Sequence, residues 1–176
     1  FYIGYFKIRG VYGKMTTRHL STSKIAEILK RHRHWVQGEA GQPADLSLVF
    51  LVGYNLTGAC LRKAKLVMAN FVDADLTEAD LRDVDARGSF LQGANLTKAR
   101  LEDSDFSPSD ILDHLGHQTG QFHAADFSRA ILRGAGLTGT NLTSANLATV
   151  DVGEGRLRTA ILTDAKLPWD TDEKED

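Results

Sequence analysis

The chain has 176 residues, 42% apolar and 25% charged, which is the make-up of about one ordinary globular domain and excludes a fibre or a disordered chain. Aromatic residues make up 8% and Cys60 is the single cysteine, so an intrachain disulfide framework is excluded and a reducing, cytoplasmic setting is expected. The net charge of -2 hides a partition, with eight Lys/Arg against two Asp/Glu in residues 1–43 and thirteen against twenty-one in 44–176; no apolar run approaches the roughly 18 residues of a membrane span.

Phe1 to Lys14 holds three of the four tyrosines and differs in composition from all that follows. Lys7 and Arg9 break its apolar run, so it does not read as a signal peptide. With Met15 placed like a natural start, residues 1–14 read as a foreign or disordered leader, the alternative being a basic aromatic arm that binds something. Residues 15–43 read as an N-terminal capping helix segment. Ser21, Thr22 or Ser23 can cap a helix running to Val36, Ile25, Ile28, Leu29, Trp35 and Val36 give it an apolar face, and Gly38 follows its end. His32 and His34 cannot share one helical face and are expected half solvated beside Trp35.

From residue 44 a Leu or Phe recurs every fifth position, as in Leu46, Leu51, Leu56, Leu61, Leu66, Phe71, Leu76 and Leu81, with a small residue such as Ala74 or Ala94 two positions earlier. On a helix a period of five scatters these residues around the axis, and on a strand it sends alternate ones to opposite faces. The backbone must therefore turn within each unit, so that Leu56, Leu61, Leu66, Phe71, Leu76, Leu81, Leu96, Leu101, Phe127, Leu132, Leu137, Leu142 and Leu147 all face one core. Ala86 is the weak member. The phase slips after Phe106 and is read as resuming at Phe122. Residues 107–121 are thus an interruption, expected as a short helix or looped protrusion because Ser107-Pro108 leads into Ile111, Leu112 and Leu115 before Gly116. The repeat region is taken as 44–169, with Leu167-Pro168-Trp169 either covering the last coil or forming a dimer contact. An acidic tail occupies 170–176.

The recurring Ala-Asp/Asn-Leu-x-x unit resembles the pentapeptide-repeat family. The resemblance implies an all-β solenoid, a right-handed quadrilateral β-helix of about six coils, with a capping α-helix at its N-terminal end. It also implies a non-enzymatic protein–protein interaction scaffold. Some members mimic DNA and protect gyrase, so a DNA-mimicking modulator of a type II topoisomerase is the alternative. That activity needs a continuous acidic stripe of phosphate-like density. Here Lys63 stacks with Asp83, Lys65 with Asp85, and Asp80 with Arg100.

The remaining motifs are weaker. His114 and His117 are spaced i, i+3, with His123 as a possible third ligand, but zinc needs three or four converging ligands. No metal or cofactor is therefore assigned, and a metal-dependent enzyme built on the interruption is a third reading. Gly134-Ala-Gly136-Leu-Thr-Gly139 matches a dinucleotide fingerprint yet lies in repeat register. A filled solenoid offers flat walls, so no catalytic residue and no small-molecule substrate is expected. The partner is an unidentified protein, direct nucleic-acid binding and membranes are not expected, and the chain is a monomer or a homodimer through its C-terminal end. The candidate interaction surface is Asp73, Asp75, Glu78, Asp80, Asp83, Asp113, His114, His117 and Trp169.

Overall fold

In the computed structural model, which describes residues 2–8, 11–112, 117–153 and 156–170, each pentapeptide is one side of a four-sided coil. The unit Ala74–Glu78 shows why the backbone accepts this shape. Ala74 N–H closes the corner on Phe71 C=O (2.9 Å), Asp75 N–H donates to Tyr54 C=O in one neighbouring coil (2.9 Å), and Leu76 and Glu78 N–H donate to Asn95 and Thr97 C=O in the other (2.8 and 2.9 Å). Thr77 N–H points away from both coils and donates to the Asp75 carboxylate (3.0 Å). All five donors are satisfied, as buried backbone requires. The Asn or Asp before each leucine thus has a structural purpose, repeated at Asn55 for Thr57 N–H (3.0 Å) and Asn95 for Thr97 N–H (3.1 Å).

Most corners take a left-handed residue. The third position of the turn has positive φ at Gly58 (62°) and Gly93 (70°), but also at Lys63 (63°), Glu78 (58°) and Lys98 (57°), whereas the turns at Thr149, Thr159 and Trp169 close without it. Positive φ at the third turn residue alone defines a type II turn. A side chain there costs roughly 1–2 kcal/mol, and the ladder bonds on either side hold it.

Parallel bridges link residues 20 apart into four ladders: Asp45–Lys65–Asp85–Asp105–Asn141–Ile161, Phe50–Asn70–Phe90–Asp126–Asn146–Lys166, Asn55–Asp75–Asn95–Ile131–Asp151 and Cys60–Asp80–Arg100–Gly136. The expected core leucines and phenylalanines line the interior, each 4% exposed or less. Ala86 is fully buried, and Phe106, the next residue in its column, packs edge-on against Phe127 at 5.1 Å, a large side chain following a small one.

At four points, beginning with Phe90–Asp126, the step lengthens from 20 to 36 residues, so 16 residues stand outside the coil. This corrects two readings of the 107–121 interruption. Phe122 is not an inward residue; it is 64% exposed, and the interior series resumes at Phe127. Nor is the insert helical: strands β3 (Ser109–Leu112) and β4 (Gln118–His123), as numbered after the two strands below, pair antiparallel from Ser109↔His123 outward. Its two ends flank the corner between the Asp45–Ile161 and Phe50–Lys166 walls, Ser107 C=O accepting Gly88 N–H and Asp126 N–H donating to Ser89 C=O, and two antiparallel strands span such a gap while pairing their own backbones.

Residues before the coils also differ from expectation. Over residues 1–14, expected as a foreign or disordered leader, strands β1 (Tyr2–Ile8) and β2 (Val11–Thr17) form an antiparallel hairpin, and β2 runs past the boundary at residue 15. Tyr, Ile, Phe and Val, which favour strands, dominate it. Arg18 then bridges Val49 of the first coil. Helix α1 (Thr22–Val36) starts at the Ser21 N-cap, whose hydroxyl accepts Lys24 N–H. Its buried stripe is Ile25 and His32 with Ile28 and Leu29 packed alongside. His32 is thus not half solvated. It lies seven residues after Ile25, on the same face, and is fully buried with its ring 5.7 Å from Trp35. Its Nδ1 accepts Ala44 N–H (3.0 Å), tying the helix to the first coil. His34, on another face, pairs with Glu39. At the other end Trp169 is 60% exposed and does not cover the last coil; instead the Asp170 carboxylate accepts Leu167 N–H (2.8 Å). Residues 171–176 of the acidic tail lie outside the described residues.

Two predictions follow from this architecture. Deleting Pro108–His123 joins Ser107 to Ala124, leaves Phe106 and Phe127 five residues apart, and is expected to preserve cooperative melting. Deleting Ser109–His123, one residue fewer, breaks the phase and should lower the Tm further; equal melts would refute control by phase. The second concerns pH. Burial holds the His32 and His123 imidazoles below their ordinary value of 6.5, so both fold neutral while the unfolded chain binds more protons in acid. Their contribution is complete above 6.5 and is lost as pH falls through the depressed folded values. The Tm should decline with acidification from pH 7.5, and less steeply in His32→Asn, which keeps an acceptor for Ala44 N–H without titrating.

Candidate functional site

The acidic residues picked out by sequence are dispersed among structural duties. Besides serving Thr77 N–H, Asp75 accepts the Thr77 hydroxyl (2.6 Å), and that hydroxyl holds its carboxyl below the usual range. Asp80 receives the Arg82 guanidinium (Nε to Oδ1 2.7 Å), which likewise depresses its pKa. Asp83 pairs with Arg62 (3.1 Å), and Glu78 with Lys98 (3.5 Å). The Asp73 carboxylate lies under the Gly93 corner, where an added Cβ would come within 2.3 Å of it. Asp80, Asp83 and Glu78 are neutralised by cations, while Asp75 accepts neutral donors and Asp73 sits against a corner, so the described carboxylates form no continuous free acidic stripe.

The insertion residues part company too. Asp113 and His114 lie outside the described residues, and His117 is exposed. His123 is 9% exposed; its Nδ1 meets the Gly88 carbonyl at 3.0 Å and its ring lies 4.3 Å from Phe90. A carbonyl only accepts, so this nitrogen carries the proton. Among the described residues no three His, Cys, Asp or Glu side chains gather as for a metal ion.

What the structure does assemble lies on the Phe50–Lys166 wall. Two of the four ladders carry charged residues at half or more of their positions, Asp45, Lys65, Asp85 and Asp105 on one and Asp80 and Arg100 on another. On the Phe50–Lys166 ladder the ionisable members are Asp126 and Lys166, and its outward positions include Phe50, Phe90, Val52 and Val72. Val52 is 48% exposed. The β3–β4 hairpin rises at the edge of this wall. Its base is seated at Gly88, where φ is +62° and an added Cβ would meet Met68 Sδ at 2.6 Å, Ser109 Cβ at 2.8 Å and the His123 carbonyl at 2.9 Å. Beyond that seat β4 is exposed from Gln118 to Phe122.

Between hairpin and wall runs a groove of about 840 Å³, bounded by Phe122, Phe90, Val72, Gln92, Asn146 and Lys166 among others. Asp126 organises its floor. One carboxylate oxygen accepts Gln92 Nε2 (3.0 Å), the other Asn146 Nδ2 (3.0 Å) and Ser128 N–H (2.8 Å). Turning its NH2 to Asp126 leaves the Gln92 carbonyl oxygen buried without a hydrogen-bond partner. Sequence reasoning had marked the interruption but none of these wall residues. A signal was present, because Phe50 and Phe90 stand where the repeat elsewhere has polar residues such as Asn or Asp, and an aromatic at an outward position of a filled solenoid needs cover.

With this geometry in view, comparison with known proteins gives the class. The family model described as pentapeptide repeats (8 copies) matches residues 55–92, 74–110 and 121–154, just over half of the chain. The chain belongs to the pentapeptide-repeat family, whose members form right-handed quadrilateral β-helices. A pentapeptide-repeat protein, Rfr23, from the cyanobacterium Cyanothece 51142 is 26% identical over 72% of this chain and 66% of that one (TM-score 0.46). HetL, a pentapeptide-repeat protein involved in heterocyst differentiation regulation from the cyanobacterium Nostoc sp. strain PCC 7120, is 31% identical over 71% and 58% (TM-score 0.37). This chain therefore spans less than two thirds of either of these two. Trypsin-treated QnrB1, a plasmid-mediated fluoroquinolone resistance protein, is 23% identical over 72% and 76% (TM-score 0.29). The curated proteins contain no match. Among the described residues no helix is long and apolar enough to cross a membrane.

Gly88→Ala should lower stability by about 1–2 kcal/mol from its positive φ and by more through collision with the hairpin seat. Gly53→Ala, with φ +66° and open space around it, should show only the backbone cost. Amide hydrogen exchange over 109–123 is expected to accelerate in the first variant alone; equal protection in both would show that Gly88 does not seat the hairpin.

Proposed function

We propose that this protein is a non-enzymatic interaction scaffold that holds a partner protein against the Phe50–Lys166 wall and its hairpin. The observation that carries this reading is the groove between wall and hairpin, with solvent-exposed Phe122 on the hairpin and Val52 on the wall at 64% and 48% exposure. Exposed apolar groups beside a rigid concave surface favour association, and residues off the repeat on a regular scaffold are where specificity resides.

In this reading the solenoid has about six coils, with α1 as the cap of its first, the arrangement that the six-membered ladders and the His32–Ala44 bond support. No catalytic role and no cofactor is assigned, and the reducing cytoplasm suits the free Cys60. The topoisomerase alternative is disfavoured by the pairing of Asp80, Asp83, Asp85 and Glu78 with Arg82, Arg62, Arg87 and Lys98, because a phosphate mimic must leave its negative charge available to the partner.

Photo-cross-linking side chains placed at Val52 and Val72, with Thr57 on the neighbouring wall as control, test the assignment in the native cell. A discrete adduct from the first two positions and none from Thr57 is expected. Adducts of equal yield from all three, or from none, would overturn the use of this wall.

A further inference from the structure

We propose that the groove accepts an extended, uncharged peptide segment bearing one large apolar side chain, laid along β4 of the hairpin. The inference rests on the scaffold reading and specifies the chemistry of the partner.

Four observations converge on it. First, among the described residues β4 pairs with β3 alone in a two-stranded sheet, so one edge of it has no described strand beside it, and its last residues, Phe122 and His123, bound the groove. Unpaired strand edges are templates for an added strand. Second, the length is right. Asn70, Phe90, Asp126, Asn146 and Lys166 are successive rungs of one ladder, so the floor spans four steps of about 4.8 Å, roughly 19 Å, the reach of about six extended residues.

Third, the floor is polar through side-chain amides. Asn70, Gln92 and Asn146 lie along it, and Asp126 fixes the last two by accepting their NH2 groups at 3.0 Å. The Gln92 carbonyl oxygen is consequently a buried acceptor with no donor in the free protein. Leaving such an atom unpaired is unfavourable; in the proposed complex the Gln92 side chain shifts into the groove, where its oxygen takes a peptide N–H. Fourth, charge excludes other occupants. The ionisable groups lining the groove, apart from neutral His123, are Asp126, Asp164 and Lys166, and Asp126 is occupied by amides. A phosphate-rich ligand finds a single Lys there, and a strongly basic one finds no free acidic cluster. A neutral segment fits, and Phe122, 64% exposed, supplies the apolar surface for its large side chain.

The test uses a displayed library of random dodecapeptides selected on the full chain, with enriched peptides resynthesised and titrated. The selected peptides should share about six uncharged residues with one aromatic or large aliphatic side chain. Their binding should weaken at least tenfold in Phe122→Ser and in Gln92→Leu, both of which sit outside the core, and stay unchanged in Thr57→Ser. Methylating alternate peptide nitrogens should abolish binding, a loss that docking through side chains alone would not produce. Selection of charged peptides, insensitivity to Phe122→Ser, tolerance of N-methylation, or no selected binder would each overturn the inference. A wall-specific adduct from Val52 and Val72 together with any of these failures would mean that the wall receives a folded surface instead. Absence of that adduct would count against the scaffold reading itself.

Discussion

A left-handed corner in most units of the repeat is the constraint from which much of the molecule derives. Once the third residue of such a turn is held at positive φ, the donors of a unit have fixed destinations: one closes the turn, three reach neighbouring coils, and one is left facing outward. The orphan belongs to the residue after the leucine, and where an Asn or Asp stands two positions earlier it accepts that N–H, as Asp75 does for Thr77. Corner strain and ladder bonding therefore support one another. Glu78 and Lys98 could not keep φ near 58° in an isolated peptide, where nothing offsets the penalty of roughly 1–2 kcal/mol. In the stack each is pinned by a bond from its own N–H to the next coil.

The same constraint decides what the acidic residues are for. Much of the negative charge in the body of the chain sits at positions where a carboxylate or amide oxygen is required by the backbone, and the neighbouring arginines neutralise it. Charge that appears in one dimension as an acidic patch is thus largely absorbed by the fold. A filled interior likewise leaves no room for a buried site. Individuality is confined to places where the repeat is broken outward: Phe50 and Phe90 in the ladder, the Gly88 corner without a side chain, and the 16 residues diverted into a hairpin.

Solenoid ends expose ladder groups that must be blocked or they invite pairing with other chains. This chain treats its two ends differently. At the first coil α1 lays Ile25 and His32 on the core, and His32 accepts a coil N–H while remaining neutral. At the last described coil the Asp170 carboxylate accepts Leu167 N–H, and Ile161 and Trp169 are 50% and 60% exposed.

The inward series and the helix from Ser21 to Val36 were legible in the amino-acid sequence, because a strict period of five is incompatible with any straight element and because caps and apolar stripes are local signals; the four-sided coil was implied by the resemblance to pentapeptide repeats. The true end of the interruption was not legible. Phe122 sits five residues before Phe127 and mimics an inward residue, and only the pairing of β4 with β3 turns it outward. The burial of His32 likewise depended on where the first coil meets the helix, and the seating of His123 on Gly88 and Phe90 on contacts between residues 35 and 33 apart in the chain. Periodicity repeats along the chain and can be counted. The groove exists only because Gln92, Phe122, Asp126 and Asn146, far apart in sequence and lacking any common motif, are brought to one wall when coils stack, and that adjacency is a property of tertiary structure alone.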